Sequence, residues 1–250
     1  MSTLIRDYER FAKEAKEICK GRVYTDHLRR YAYGVDASCY SYLPKVVVKA
    51  EDEREVRRLI RLCQQCGTPF TFRAAGSSLS GQCSSEDVLI VCNDGFKKME
   101  VIDHGKALKC ECGVIGSDAN DLLKPYNRKI GPDPATLATA LVGGILNNNS
   151  SGMCCGTAQN SYKTIRSIRV VLLDGSILDT SDQKSIDQFL KEKPQMVEDL
   201  LQLRKEILAD EELTHLIHHK YKIKNTTGYG LNSLVDFEDI IDIINHLFIG

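Results

Sequence analysis

Residues 70–82 read FTFRAAGSSLSGQ, and the fold turns on how this stretch is understood. Phe70, Thr71 and Phe72 follow Pro69 as an extended run, and from Ala74 to Gly81 every residue except Leu79 is Ala, Gly or Ser. Side chains this small let a backbone come close to a ligand. Glycine admits φ > 0, so successive N–H groups at Ala74, Ala75, Gly76, Ser77, Ser78, Leu79 and Ser80 can converge on an anion. The hydroxyls of the three serines and the guanidinium of Arg73 would complete a cradle for a pyrophosphate. The same composition serves an ordinary turn, so the surroundings decide. Gly76 and Gly81 have the spacing of a Walker loop, but Gln82 and Cys83 stand where Lys and Ser/Thr are required, which excludes that class of NTPase. No GxGxxG joins a strand to a helix, which removes the Rossmann dehydrogenases.

Working outward, Val46 to Lys49 reads as a strand and Glu51 to Cys66 as a helix with Val56, Leu59, Ile60 and Cys63 facing inward. Gly67 ends that helix, and Thr68-Pro69 turns the chain into the strand before the loop. The unit is β-α-β, with the loop at the carboxyl end of its second strand, where open α/β sheets place ligands. Upstream, Leu4, Tyr8, Phe11, Ala15 and Ile18 predict an amphipathic helix capped by Ser2 or Thr3. Residues 25–44, rich in Arg, Tyr and Ser, read as irregular. Downstream, Asp87 to Cys92 is a buried third strand. Met99 to Ile102 and Ala107 to Cys112 form a hairpin around His104-Gly105-Lys106, so a boundary between two lobes is placed near Asn93 to Phe96. Gly116 to Tyr126 is a helix with Ala119, Leu122 and Leu123 inward.

A second small-residue region follows, GPDPATLATALVGGILNNNSSGMCCG over residues 131–156. Pro132 and Pro134 bracket Asp133, and Thr136 caps a short apolar turn. Gly143-Gly144 and the Asn/Ser run to Gly152 offer a second ligand surface; a glycine-packed helix with a structural turn is the alternative. Ile165 to Leu173 is a buried strand returning through Asp174-Gly175 to Ser176–Asp179. Residues 183–222 are helical scaffold, with Met196, Leu200, Leu203 and Ile207 on one face and Leu213 and Ile217 on another. Asn225 to Tyr229 is a polar turn, Ile240 to Leu247 a last helix, and the apolar end at Phe248-Ile249-Gly250 reads as a cut in a longer protein.

Composition narrows the function classes. With 33 Lys+Arg against 34 Asp+Glu, the net charge of −1 gives no nucleic-acid surface. No apolar run approaches the ~18 residues of a membrane span, and the first twenty residues are charged throughout, which predicts a cytoplasmic protein, at most peripheral to the inner face of a membrane. Ten cysteines include one CxxC, Cys63 and Cys66, without a second at zinc spacing, so buried reduced thiols and no metal are expected. His215 and His219 stand i, i+4 with no acidic third ligand.

RAAGSSLSGQ, PDPAT, VGGILNNNSSG and IRVVLLDG, in this order, resemble the PCMH-type FAD-binding domain of the vanillyl-alcohol-oxidase flavoproteins. The branch nearest in pattern is that of the FAD-linked D-lactate, glycolate and 2-hydroxyglutarate dehydrogenases with a fused iron–sulfur domain. The resemblance runs from about Asp36, in DASCYSYLP, to Gly250. It implies an α+β fold of two α/β lobes: residues 41–95 and 96–250, after an N-terminal helical segment 1–40, with a helical insertion at about 183–222 and the substrate cap absent after 250. It also implies that Arg73, Ala74, Ala75, Gly76, Ser77, Ser78, Leu79, Ser80 and Gln82 hold the FAD pyrophosphate. Pro132, Asp133, Pro134 and Thr136 would lie by the flavin and ribityl chain. Val142, Gly143, Gly144, Asn148, Ser151, Gly152 and Thr157 would line the dinucleotide, with Val170 at the adenine. Ser77 stands where covalent relatives carry histidine, so non-covalent FAD is expected. The implied parent reaction oxidises a small D-2-hydroxy acid to a 2-oxo acid by hydride transfer to flavin N5, with electrons leaving to an iron–sulfur domain, quinone or cytochrome. No catalytic base is named by the sequence, and a nucleotide- or phosphate-binding module without redox activity is the competing reading.

Overall fold

The computed structural model describes residues 6–225 and 228–250. The chain folds as two compact units, Met1–Ile130 with Thr136–Gly144 and Leu173–Ser176, and Gly131–Ala135 with Ile145–Leu172 and Ile177–Gly250.

In the first unit, α1 (Tyr8–Ile18) is capped by Asp7, whose carboxylate accepts from the Arg10 N–H at 2.9 Å. The expected cap at Ser2 or Thr3, and Leu4 with it, lies outside the described residues. After β1 (Val23–Tyr24) comes α2 (His27–Ala32), in a stretch expected to be irregular. Asp26 starts it by accepting from the Arg29 N–H. It buries no residue, so it leaves no apolar period to read. Next are β2 (Val46–Lys49), α3 (Glu53–Cys66), β3 (Phe70–Arg73) and β4 (Val88–Val91). Asp52 caps α3, and Gly67 ends it at φ +62°, where only glycine is free of strain. The sheet order is β1-β2-β4-β3, with β4 parallel to both neighbours, so β4 and not α3's partner strand fills the middle. Val46 to Val48 and all of β4 are buried, as a parallel sheet covered on both faces demands. Helix α1 packs on α3 through Phe11, Ala12 and Ala15.

β5 (Met99–Ile102) and β6 (Ala107–Cys110) form the antiparallel hairpin. It belongs to the first unit, on the same side of the division as the parallel sheet and not beyond a boundary at residues 93–96. Gly113 is the reason: its N–H donates to the Phe96 carbonyl, and it lies so close to the Gly95 carbonyl that a side chain would overlap it. Helix α4 (Gly116–Leu123) gives way to a tight turn at Lys124–Tyr126. Ala119 and Leu123 are buried, while Leu122, expected inward, is exposed.

Helix α5 (Val142–Asn147) starts in the first unit and finishes in the second. The second unit continues with α6 (Ser161–Thr164), β7 (Arg169–Val171) and β8 (Ile177–Asp179). The strand expected over Ile165 to Leu173 shrinks to β7, half-buried at Val170 and Val171 and exposed at Arg169, because it pairs with β8 alone. Three helices follow, α7 (Gln183–Glu192), α8 (Pro194–Ala209) and α9 (Glu211–Lys220), then α10 (Ser233–Asp236) and α11 (Ile240–Leu247). Phe189, Leu178 and Ile244 form one core, with Met196 and Leu200 against it; Ile207, Ile217, Leu234 and Ile243 form another. Leu203 and Leu213, which share faces with Ile207 and Ile217 in the sequence pattern, are exposed. The polar turn expected at Asn225 to Tyr229 includes two residues outside those described.

Candidate functional site

Because β2, β4 and β3 run parallel, their carboxyl ends share one edge, and the loop after β3 leaves from it. Gly76 and Gly81 both adopt φ +77° and turn the chain twice within six residues. Among the described residues the N–H groups of Ala75, Gly76, Ser77 and Leu79 donate to no protein acceptor. Ser80 donates its N–H to the Ser78 hydroxyl, which itself donates to the Gln82 side-chain oxygen. The serine expected to meet an anion is thus partly spent on holding the loop.

Arg73 has a different place from the one its charge implies. Its guanidinium is buried, donates to the carbonyls of Tyr33 (3.2 Å) and Val35 (2.8 Å), and lies under Gly76, where a β-carbon would overlap it. It ties the loop to the segment before β2 and supplies positive charge from beneath. The far end of the loop is tied to the same segment: the Cys83 thiol donates to Asp36 at 3.4 Å, and Gly81 abuts the Tyr40 ring. Burial raises the Asp36 carboxyl, but hydrogen bonds from Ser38 and Cys83 and the charge of Arg73 bring it below its ordinary value.

The other small-residue stretch of this unit reaches the same loop. Gly143 donates to the Cys112 carbonyl at 2.9 Å, Val142 donates to that of Val114, and a β-carbon on Gly144 would stand 3.4 Å from the Ala74 methyl. RAAG and VGG are therefore neighbours, though about seventy residues apart in sequence, as contacts through small side chains allow. Thr136 is exposed; its carbonyl, not the hydroxyl expected to cap, closes the turn by accepting from the N–H groups of Thr139 and Ala140.

In the second unit Asp133 is the organising residue. Its carboxylate accepts from the N–H groups of Gly152 (2.9 Å), Cys154 (3.1 Å) and Cys155 (3.1 Å). Hydrogen bonding by Cys155, thiol and backbone, and by Cys154 pushes its pKa down to about 2. Gly152 is pressed against the Asp133 carbonyl so closely that no side chain fits. Asp133 and Gly152, predicted separately, are one structure. Pro132 is buried and Pro134 half-buried beside it, and Asn148 donates to the Ser150 hydroxyl at 3.3 Å. Ser151 and Thr157 are half-buried, and Val170 lies in β7 opposite Leu178. Asn149, part of the Asn/Ser run expected to offer a ligand surface, is instead buried at φ +40° and accepts from the Tyr162 N–H. Only its place in the run of three asparagines marks it. Among the described residues no group of three or more His, Cys, Asp or Glu is arranged to hold a metal.

A loop whose N–H groups at Ala75, Gly76, Ser77 and Leu79 find no acceptor among the described residues, over a buried guanidinium, fits a phosphate ester. The family profile described as an FAD binding domain matches residues 44–181. The chain belongs to the FAD-binding-domain family. Among relatives of this FAD-binding chain, the D-2-hydroxyglutarate dehydrogenase of Escherichia coli (strain K12) is 28% identical over 164 residues, covering 64% of this chain and 16% of that protein. The glycolate oxidase subunit GlcD of Bacillus subtilis is 26% identical over 164 residues, covering 63% of this chain and 34% of GlcD. The chain thus spans about a sixth to a third of the length of these curated relatives. The solved structure of an alkyldihydroxyacetonephosphate synthase superposes with a TM-score of 0.59 at 20% identity over 72% of this chain and 37% of its own, which establishes a shared fold. No helix among the described residues is long and apolar enough to cross a membrane.

Proposed function

We propose that this chain is the FAD-binding portion of a flavin-dependent oxidoreductase that oxidises a D-2-hydroxy acid to a 2-oxo acid. The observation that carries the reading is the loop after β3, whose N–H groups at Ala75, Gly76, Ser77 and Leu79 have no protein acceptor among the described residues. They bind the pyrophosphate of the cofactor, and the Ala74–Gly144 contact keeps bulk away from it. Arg73 holds the loop in the binding shape and contributes a favourable potential from below. The second unit by itself carries a turn fixed by Asp133, with Asn148, Ser151, Gly152 and Thr157, whose small polar groups suit contacts to a dinucleotide, and Val170, whose backbone suits an adenine. When bound, FAD supplies a two-electron acceptor for the hydrogen on the hydroxylated carbon. The hydroxy-acid class is supported by the printed names of the relatives, D-2-hydroxyglutarate dehydrogenase and glycolate oxidase among them. Electrons then leave to a separate carrier, an iron–sulfur domain, quinone or cytochrome.

Ser77 makes the association non-covalent, since a serine hydroxyl offers no nitrogen to bond the flavin ring. The test is a visible absorption spectrum of the purified chain, followed by acid precipitation. Flavin released to the supernatant and identified as FAD supports both parts. Flavin retained in the pellet sinks the non-covalent part, and a colourless chain that takes up no added FAD sinks the whole reading.

A further inference from the structure

The loop after β3 is built onto the segment from Tyr33 to Leu43. The Tyr42 N–H donates to the Gly34 carbonyl at 2.8 Å, and Val35 bridges Ser41, so residues 34–42 form a closed turn. Arg73 grips that turn at the carbonyl of Val35, and Cys83 grips it at Asp36, one from each end of the loop. The same turn carries Tyr40 and Tyr42. Their rings are stacked, with centroids 6.3 Å apart and planes at 19°.

Tyr40 is the informative one. A β-carbon on Gly81 would come within 2.8 Å of its ring, so the absence of a side chain at 81 lets the loop backbone lie flat on one edge of the tyrosine. The rest of the ring is open: Tyr40 is 49% exposed, and Leu79 at the tip of the same loop is 79% exposed. An aromatic ring fixed along one edge and open to water elsewhere can take a second planar ring against it. It abuts Gly81, two residues beyond Leu79 in the same loop, so a phosphate seated on that loop would carry its attached ring system toward Tyr40.

We propose that Tyr40 is a stacking residue of the cofactor site, taking the face of a planar aromatic ring whose phosphate lies on the loop Ala75–Leu79. This rests on the FAD reading above and adds a contact to it. Two rings of a flavin dinucleotide have this chemistry, the isoalloxazine and the adenine, and the ligands used in the test separate them. Tyr42, stacked behind, keeps the Tyr40 ring in plane.

The experiment measures dissociation constants of FAD, FMN, ADP and inorganic pyrophosphate for the whole chain and for its Tyr40→Ala and Tyr40→Phe variants, with thermal melts confirming that each is folded. Removing the ring is expected to weaken FAD about tenfold, the usual size of a lost stacking contact, while Tyr40→Phe stays within about twofold and pyrophosphate is unchanged. A parallel loss for FMN but not ADP assigns the isoalloxazine, and the reverse assigns the adenine; either supports stacking. Unchanged FAD affinity in Tyr40→Ala overturns the proposal and leaves the cofactor reading standing. Equal losses for FAD and pyrophosphate overturn it as well, since the residue then supports the loop alone. A wild-type chain that binds none of the four overturns both.

Discussion

Gly76 sits at φ +77° over the Arg73 guanidinium, and both facts forbid a side chain there. Gly76→Ala is expected to cost about 1–3 kcal/mol of stability through strain and displacement of Arg73, and to weaken FAD binding at least about tenfold by turning the N–H groups aside. Urea unfolding and flavin titration measure the two, and unchanged flavin affinity would remove the loop from the site. Asp133 makes a prediction about acid. Its folded pKa of about 2 lies below the roughly 3.9 of an unfolded aspartate, so its contribution is complete above about pH 4 and is lost as pH falls toward 2. The Asp133→Asn variant, which cannot titrate, should therefore show a shallower loss of unfolding midpoint between pH 5 and pH 2.5 than the wild type. Parallel slopes would mean that the carboxylate is not what holds Gly152 to Cys155.

Helix α3 shows how far an element can be read by itself. Its apolar period and its glycine stop at 67 are visible in sequence and reappear in the structure, while its start, read at Glu51, falls at Glu53 because Asp52 caps it. The CxxC at Cys63 and Cys66 lies on that helix's buried side, and burial pushes the Cys63 thiol up to about 12. A thiol in that state is a packing group and a poor nucleophile. Alkylation of the native protein near pH 8, mapped by mass spectrometry, should label exposed Cys39 and Cys154 and spare Cys19, Cys63 and Cys66 until the protein is unfolded. Rapid native labelling of Cys63 would show that α3 opens locally. Helix α2 is the opposite case: with no buried residue it has no period, and its start rests on Asp26 alone.

For the molecule as a whole, ligand binding and stability are one measurement. A ligand that binds only the folded state at 100 times its Kd adds about 2.7 kcal/mol, which for a chain of this size raises Tm by roughly 5–10 °C. FAD should produce that rise, and inorganic phosphate at the same concentration should not; equal shifts would point to a simple anion site. Sequence by itself determined the small-residue loop and its place after a strand, because small residues, glycine turns and apolar runs are local signals. It also determined that Gly143-Gly144 and Asn148 to Gly152 are special, through composition alone. Only the tertiary structure decided that Arg73 turns inward to Tyr33 and Val35, that Asp133 closes on Gly152, that Gly144 meets Ala74, and that the hairpin β5–β6 joins the first unit. Each of these pairings joins groups 19 to 70 residues apart, or depends on which way a side chain or hairpin turns. Such contacts are chosen by packing and by the need of buried donors and acceptors for partners, and neither leaves a period in the chain.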